Sequence, residues 1–434
     1  MTYIRRRVTA LFIAVMLINA ILTACSIPAS TGSVRVLGPW IGEEENNFRR
    51  VLDAFTHETG VQYTYQGTRA LHEVLLSDIQ KGTPPDIAIL WSPGELGQYQ
   101  HIGKLHQLDD VIAPQQGEYS DQWLELQRLG TNNLYGVVVK ANLKSIIWFN
   151  PHVHHPTIQT WDQLVAFGDT IAKTGGTPWC MGMVSTPTSG WQGTDWIEDI
   201  LLRQFGTDIF QQWASGTLPW TSPQVSTAWE DWGKIMATVG SRSALLTDFV
   251  DTGRPMFTNP PGCFLDHAPS FVTVNYQTYD GAPKAGTDFD FFIFPDFVSM
   301  PAGSTGGPFV VSADMASMFN NTPQARQLIK YLATEKAQGI WPGKGGAAFS
   351  VNRNVKPSVY PDDVSKRIAQ ELTTAKTLCF DAADLMPATM RNAFYRAVLE
   401  YLSEPTQLDR ILDELDRVRL GITREEWLNI PCGQ

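Results

Sequence analysis

VRVLGPWIGEEENNFRRVLDAFTHETGVQYTY, residues 34–65, changes its hydrophobic period twice. Val34 and Val36 fall two apart, as on one face of a strand. Phe48, Val51, Leu52 and Phe55 then fall three and four apart, as on the stripe of a helix. Gly60 stands where a helix needs a left-handed residue to stop, and Val61, Tyr63 and Tyr65 return to the period of two. The same order repeats downstream. Leu71, Val74, Leu75 and Ile79 form a second helical face, residues 82–85 break it, and Ile87 to Leu90 read as a buried strand. Successive strand, helix, strand units predict an α/β domain with a largely parallel sheet.

Further along, Tyr135 to Val139 and Ser145 to Phe149 read as strands joined across Lys140 to Lys144. Thr160 with Gln163 makes a capping box ahead of Leu164, Phe167 and Ile171. Asp195 with Glu198 similarly opens a helix carrying Ile197, Ile200, Leu201 and Phe205, and Thr322-Pro323 starts another. From Val364 to Trp427 the pattern is nearly all helical, with Leu408, Ile411, Leu412, Leu415 and Val418 as one stripe. No low-complexity linker separates the two α/β series, which predicts lobes joined by several chain crossings.

At the N-terminus, Arg5, Arg6 and Arg7 precede an apolar run from Leu11 to Leu22 that ends in Leu22-Thr23-Ala24-Cys25. The run is an export signal, short for a bilayer span of ~20 apolar residues. The pattern resembles a bacterial lipobox, which makes 1–24 a lipoprotein signal peptide, Cys25 the lipidated new N-terminus and 25–32 a polar tether. Stable anchoring then requires more than one acyl chain. The body beyond it is expected outside the cytoplasm, held to the membrane through that lipid.

Four further cysteines, Cys180, Cys263, Cys379 and Cys432, are an even number, in keeping with an oxidising compartment. Three pairings are open. Cys180 with Cys263 and Cys379 with Cys432 is favoured because each pair then lies within one half of the later chain. The formal charge of -11 argues against nucleic acid or an anionic membrane face as a partner. Fourteen Trp residues are many; Trp148, Trp213, Trp229 and Trp232 fit core positions.

The order VLGPWIGEEENNFRRVLDAFTHETGVQYTY, GTPPDIAILW, YGVVVKANLKSIIWFNP resembles the extracellular solute-binding proteins of carbohydrate ABC importers. GGTPWCMG, TDWIEDILLR, PPGCFLDH, YLATEKAQGIW and FDAADLMP are similar to the clade associated with α-glucoside uptake. The resemblance implies a two-lobed α/β periplasmic-binding-protein fold of type II, each lobe a largely parallel sheet flanked by helices, with a helical C-terminal region. It also implies a sugar ligand, permease subunits with their ATPase as partners, a monomer, and no cofactor or enzymatic activity. On that frame 33–140 with 296–342 make the N-lobe and 141–295 with 343–434 the C-lobe. The crossings fall near Lys140 to Asn142, Pro295 and Trp341 to Gly346.

A sugar offers hydroxyls at its rim and C–H patches on its faces, so a cleft needs carboxylates or amides beside aromatic plates. Trp40, Glu43 and Glu44 follow the first strand, at the end where α/β sheets place ligands, although Glu43 to Glu45 also suit a helix N-terminus. Trp91 and Glu95 follow Ile87 to Leu90 in the same way, and Trp91 matches an aromatic of the related maltose-type binders. Asn142 lies at the first crossing and Trp341, a third plate, at the last. Trp191 reads as a loop plate, while Asp195 serves either a ligand or its own helix cap. Asp384 matches the family's DLMP without a derivable role. The alternatives are a secreted glycoside hydrolase, for which no acid and nucleophile pair stands out, and a metal-binding protein of similar architecture. His152, His154 and His155 prompt the latter, but adjacent imidazoles framed by Pro151 and Pro156 do not readily converge on one ion, so no metal is expected.

Overall fold

The computed structural model describes residues 32–154, 156–239, 241–297, 307–344 and 347–433. The signal peptide, Cys25, nearly all of the tether and His155 lie outside the described residues.

Among the described residues nine strands form two sheets: β1 (Ser33–Gly38), β2 (Gln62–Gly67), β3 (Ile87–Leu90), β4 (Val137–Leu143), β5 (Ile146–Phe149), β6 (Leu265–His267), β7 (Asp290–Ile293), β8 (Phe309–Met318) and β9 (Leu378–Phe380). The first sheet runs β2-β1-β3-β8-β4, with β9 also on β8; the second runs β6-β5-β7. β1 is parallel to β2 and β3, as the alternating units predict, whereas β8 enters antiparallel to both β3 and β4. The second sheet is antiparallel throughout, against the expectation of a largely parallel one. β5 has no crossover helix to a parallel partner, because it follows β4 directly and pairs with strands that arrive from distant parts of the chain.

Ten helices matter here: α1 (Gly42–Thr59), α2 (Leu71–Gln80), α3 (Pro93–His101), α4 (Trp161–Lys173), α5 (Trp191–Ala214), α6 (Pro323–Leu332), α7 (Asp363–Thr374), α8 (Ala382–Leu385), α9 (Ala388–Ser403) and α10 (Leu408–Leu420). The local signals hold. α1 buries Phe48, Val51, Leu52 and Phe55 and stops at Gly60 with φ 76°. α4 opens with the Thr160–Gln163 capping box, and α10 buries Leu408, Ile411, Leu412 and Leu415. Trp148, Trp213, Trp229 and Trp232 are fully buried, in the company of Trp179, Trp196 and Trp220. The disulfides are Cys180–Cys263 and Cys379–Cys432, the favoured pairing.

The sheets are joined by a ribbon. β4 and β8 pair from Val137↔Ala316 to Leu143↔Val311, with a bulge between Val138 and Lys140. Only Lys144 and Ser145 then separate β4 from β5. The residues read as a connector, Lys140 to Asn142, are therefore ladder residues, because β8 supplies partners for them. Beside Pro295, the backbone N–H of Trp161 donates to Asp296 O at 2.9 Å, and by Phe309 the chain is part of the first sheet. The third passage touches the ribbon at Phe349, whose carbonyl accepts from the Ala141 N–H at 2.9 Å. β9, in the stretch assigned to the second lobe, extends the first sheet instead, since β3 covers only Met315–Met318 of its edge of β8 and leaves Phe309–Val311 to β9.

Candidate functional site

A cavity of about 180 Å³ lies against the ribbon. The period of two explains its floor: Lys140, Asn142 and Lys144 share one face of the ribbon, and cross-strand pairing sets Asp314 opposite Lys140 and Ser312 opposite Asn142. The carboxyl ends of β1, β2 and β3 supply Trp40 with Glu44, Arg69 and Trp91. From the far side come Trp191 and Asp195 on α5, with Phe249 and Phe271; Asp381, Asp384 and Tyr395 close the remaining wall.

Two glycines allow these elements to meet. Gly190, with φ +107°, caps α5 where an added Cβ would lie 2.3 Å from Tyr395 O, so α5 and α9 approach closely and Trp191 begins its helix beside Tyr395. Gly94 likewise lets α3 pack against α8, since a Cβ there would lie 2.2 Å from Met386 O.

The aromatic part is continuous. Trp191 sits edge-on to Phe249 at 5.6 Å and tilted against Phe271 at 5.9 Å, with Arg69 over Phe249 at 4.8 Å. Lys140 Nζ lies 5.2 Å from the Phe271 ring and 5.3 Å from that of Trp341, and Lys144 Nζ 5.8 Å from that of Trp191.

Below the rings is a buried charge network. Lys144 Nζ donates to Asp195 Oδ1 at 2.8 Å and also to Asp381, while Lys140 pairs with Glu44. Burial alone would lower the Lys144 pKa, but Asp195, Asp381, Asp384 and Glu198 outweigh it and hold the ammonium well above its usual range. Burial, reinforced by Asp381 and opposed by Lys144, pushes the Asp195 carboxyl up to about 7. Asp314 is pushed by burial up to about 6 against the pull of Lys140, and burial with the charge of Asp381 drives Asp384 well up. Glu198, also raised by burial, accepts the backbone N–H groups of Ala382 at 2.9 Å and Ala383 at 3.1 Å, which fixes α8 in place. Asn142 Nδ2 donates to Ser312 at 3.4 Å, while its Oδ1 is buried with no hydrogen-bond partner among the described residues.

Of the expected binding residues, Trp40, Glu44, Trp91, Asn142, Trp191 and Asp195 line this cavity. Glu43 does not: it is exposed and accepts from Asn46, because consecutive helical residues point 100° apart and only Glu44 of the three glutamates reaches Lys140. Glu95, 3% exposed, is held by His72 at 2.8 Å and Arg391 at 3.2 Å. Trp341 lies edge-on behind Trp40 at 4.7 Å and is buried core. Asp195 is not a cap, since Gly190 occupies that position and α5 begins five residues earlier than a cap at Asp195 implies. Lys140, Lys144, Arg69, Asp314 and Asp381 were missed. Lys144 and Asp381 are 237 residues apart, so no local pattern announces their pairing. His152 bonds Asp288 at 3.1 Å and His154 packs on Phe167 at 4.8 Å; among the described residues no group of three metal-ligating side chains converges.

A family model described as bacterial extracellular solute-binding protein matches residues 41–339. The chain is 31% identical over 413 residues to the osmoprotective compounds-binding protein GgtB of Synechocystis sp., covering 91% of this chain and 95% of that one. It is 29% identical over 394 residues to the alpha-glucosides-binding periplasmic protein AglE of Rhizobium meliloti, covering 87% and 85%. Among solved structures, the bacterial solute receptor AcbH superposes with a TM-score of 0.76 at 18% identity, over 89% of this chain and 97% of that one. A chitin oligosaccharide binding protein gives 0.75 at 16%, over 90% and 98%. Two sheets joined by a crossing ribbon, with these likenesses, are the type II periplasmic-binding fold.

Proposed function

The chain belongs to the bacterial extracellular solute-binding proteins, and from that premise we infer that it captures a sugar, an α-glucoside or another di- or oligosaccharide, in the ribbon cavity and delivers it to an ABC permease. The observation that carries this reading is the cavity itself. Its rings, Trp40, Trp91, Trp191, Phe249 and Phe271, suit sugar faces, and its acids and Asn142 suit hydroxyl pairs. Asp384, whose carboxyl burial holds well above its usual range, lines the same wall as Asp381. The names of GgtB and AglE agree with this ligand class.

The protein acts by binding rather than catalysis, and the sugar draws its two lobes together about the ribbon, a hinge closure that the permease and its ATPase read. We place one crossing of this hinge at Lys144–Ser145 and another beside Phe349, and count β9 with the first lobe because it pairs with β8. Residues 1–24 direct export and Cys25 carries the lipid that holds a monomeric protein at the outer face of the cell membrane.

A thermal-shift screen of the chain from Ser26 onward against maltose, sucrose, trehalose and glucose tests this, since a ligand of the native state alone raises the transition by mass action. A shift with one glycoside, and no product after long incubation, is expected. No shift with any of them, or turnover of a glycoside, overturns the reading.

A further inference from the structure

On the far side of Trp91, Thr188 and Tyr395 from the ribbon cavity is a second space of about 250 Å³, which shares those three residues and Arg69 with the first. Its chemistry is the reverse. Where the ribbon cavity is walled by five carboxyls, this one presents Arg69, His72, Arg391 and Arg396. Its two nearby acids are unequal: Glu73 is exposed, whereas Glu95 is buried and already receives His72, Arg391 and, at 3.3 Å, the Tyr99 hydroxyl.

Arg391 is the informative residue. It is 2% exposed and uses one nitrogen, Nη2, on Glu95. Its Nε and Nη1 are buried with no hydrogen-bond partner among the described residues. A planar guanidinium offers five N–H donors in a fixed fork, and a buried donor left unpaired is costly, so the arrangement fits an acceptor brought from outside. Arg69 and Arg396, both exposed, make no ion pair among the described residues. Three arginines line one space, Arg391 paired on one side with Glu95, and a guanidinium's planar fork of donors suits the oxygens of a carboxylate or phosphate.

We propose that this space is an anion subsite, and that the protein takes glycosides whose aglycone carries a carboxylate or a phosphate, with the sugar ring in the ribbon cavity and the acidic group against Arg391, Arg69 and Arg396. This rests on the sugar-capture reading and narrows its ligand class. Trp91 is common to both spaces, so a ligand lying across it fills both.

Calorimetric titration with two matched pairs, maltose against maltobionate and trehalose against trehalose 6-phosphate, tests it at low and at physiological salt. The acidic member of at least one pair is expected to bind tenfold or more tightly, the pair that shows the gain distinguishing carboxylate from phosphate. Raised salt and Arg396→Gln are each expected to shrink that ratio. Arg391→Lys, which keeps the buried charge opposite Glu95 but removes the fork, should shrink it further. Equal affinity within both pairs overturns the anion subsite and leaves sugar capture standing. Binding of inorganic phosphate alone as tightly as the acidic glycosides overturns the tethered form of the proposal. No heat with any of the four glycosides overturns sugar capture, and the subsite with it.

Discussion

The two spaces on either side of Trp91 differ in the balance of charged groups that line them and in how those groups are paired. In the ribbon cavity Lys144 is enclosed with Asp195 and Asp381, and Lys140 with Glu44, so the cations are buried and committed. Beyond Trp91, Arg69 and Arg396 stand exposed, and only Arg391 is locked, through one of its three nitrogens. The first arrangement is a buried network throughout; in the second only the Arg391–Glu95 pair is buried, and Arg69 and Arg396 contribute little to folding. A charge enclosed among opposite charges is destabilising to remove, whereas an exposed charge without a partner is not.

Lys144→Met breaks this comparison most directly. It leaves Asp195 and Asp381 buried without their cation and should destabilise the unliganded protein by about 3–5 kcal/mol, while Arg396→Gln should change stability by no more than about 0.5 kcal/mol. Urea unfolding of both variants measures this, and similar losses in the two would erase the distinction.

Acidity sharpens the comparison next. Asp314, held at about 6 by burial, faces Glu44, Lys140 and Lys144. Unfolded, the same carboxyl titrates near 4. Between those values the folded chain keeps a proton that the unfolded chain has released, so this contribution is complete below about pH 4 and is lost as pH rises through about 6. Asp314→Asn should flatten the stability profile between pH 4 and 6 by about 3 kcal/mol. Unchanged curvature in thermal unfolding across that interval would show that Asp314 ionises as freely in the folded state.

The smallest effect concerns the wall itself. Trp91 is partly buried against the core and faces both spaces. Trp91→Ala should weaken the glycoside selected by the thermal screen by about tenfold, near 1.4 kcal/mol, with little effect on unfolding of the unliganded protein. A variant that binds that glycoside normally would place the sugar away from this ring.

The alternation of periods in residues 34–90 made the first sheet and its helices legible, because strand and helix patterns are local and each carries its own stop signal, Gly60 being the clearest. Trp40, Trp91, Trp191 and Glu44 were legible as residues lining the cavity for a related reason: each follows a strand end or begins a helix, where chain direction decides which residues meet a cleft. Glu43 and Glu44 differ only in rotation about α1, which composition does not encode. Lys140 and Lys144 were read as a connector because nothing adjacent in sequence declares β8 as their neighbour or Asp381 as their acceptor. The antiparallel second sheet was hidden likewise, since β5 gathers partners more than a hundred residues away. Trp341 was placed in the cleft from its position in the chain, when the rings of Trp40 and Phe48 stand beside it and make it core.

Lys140, Asn142, Ser312 and Asp314 stand on the β4–β8 ribbon, and Lys144 follows at its end. On the closure proposed above, a ligand touching them sits at the fulcrum, where rotation displaces atoms least, while the outer rims of the two lobes travel farthest for the same angle. A sub-ångström adjustment around a bound sugar is thereby geared up into a displacement of the rims, without any strut running from the sugar to the surface that a permease would grip.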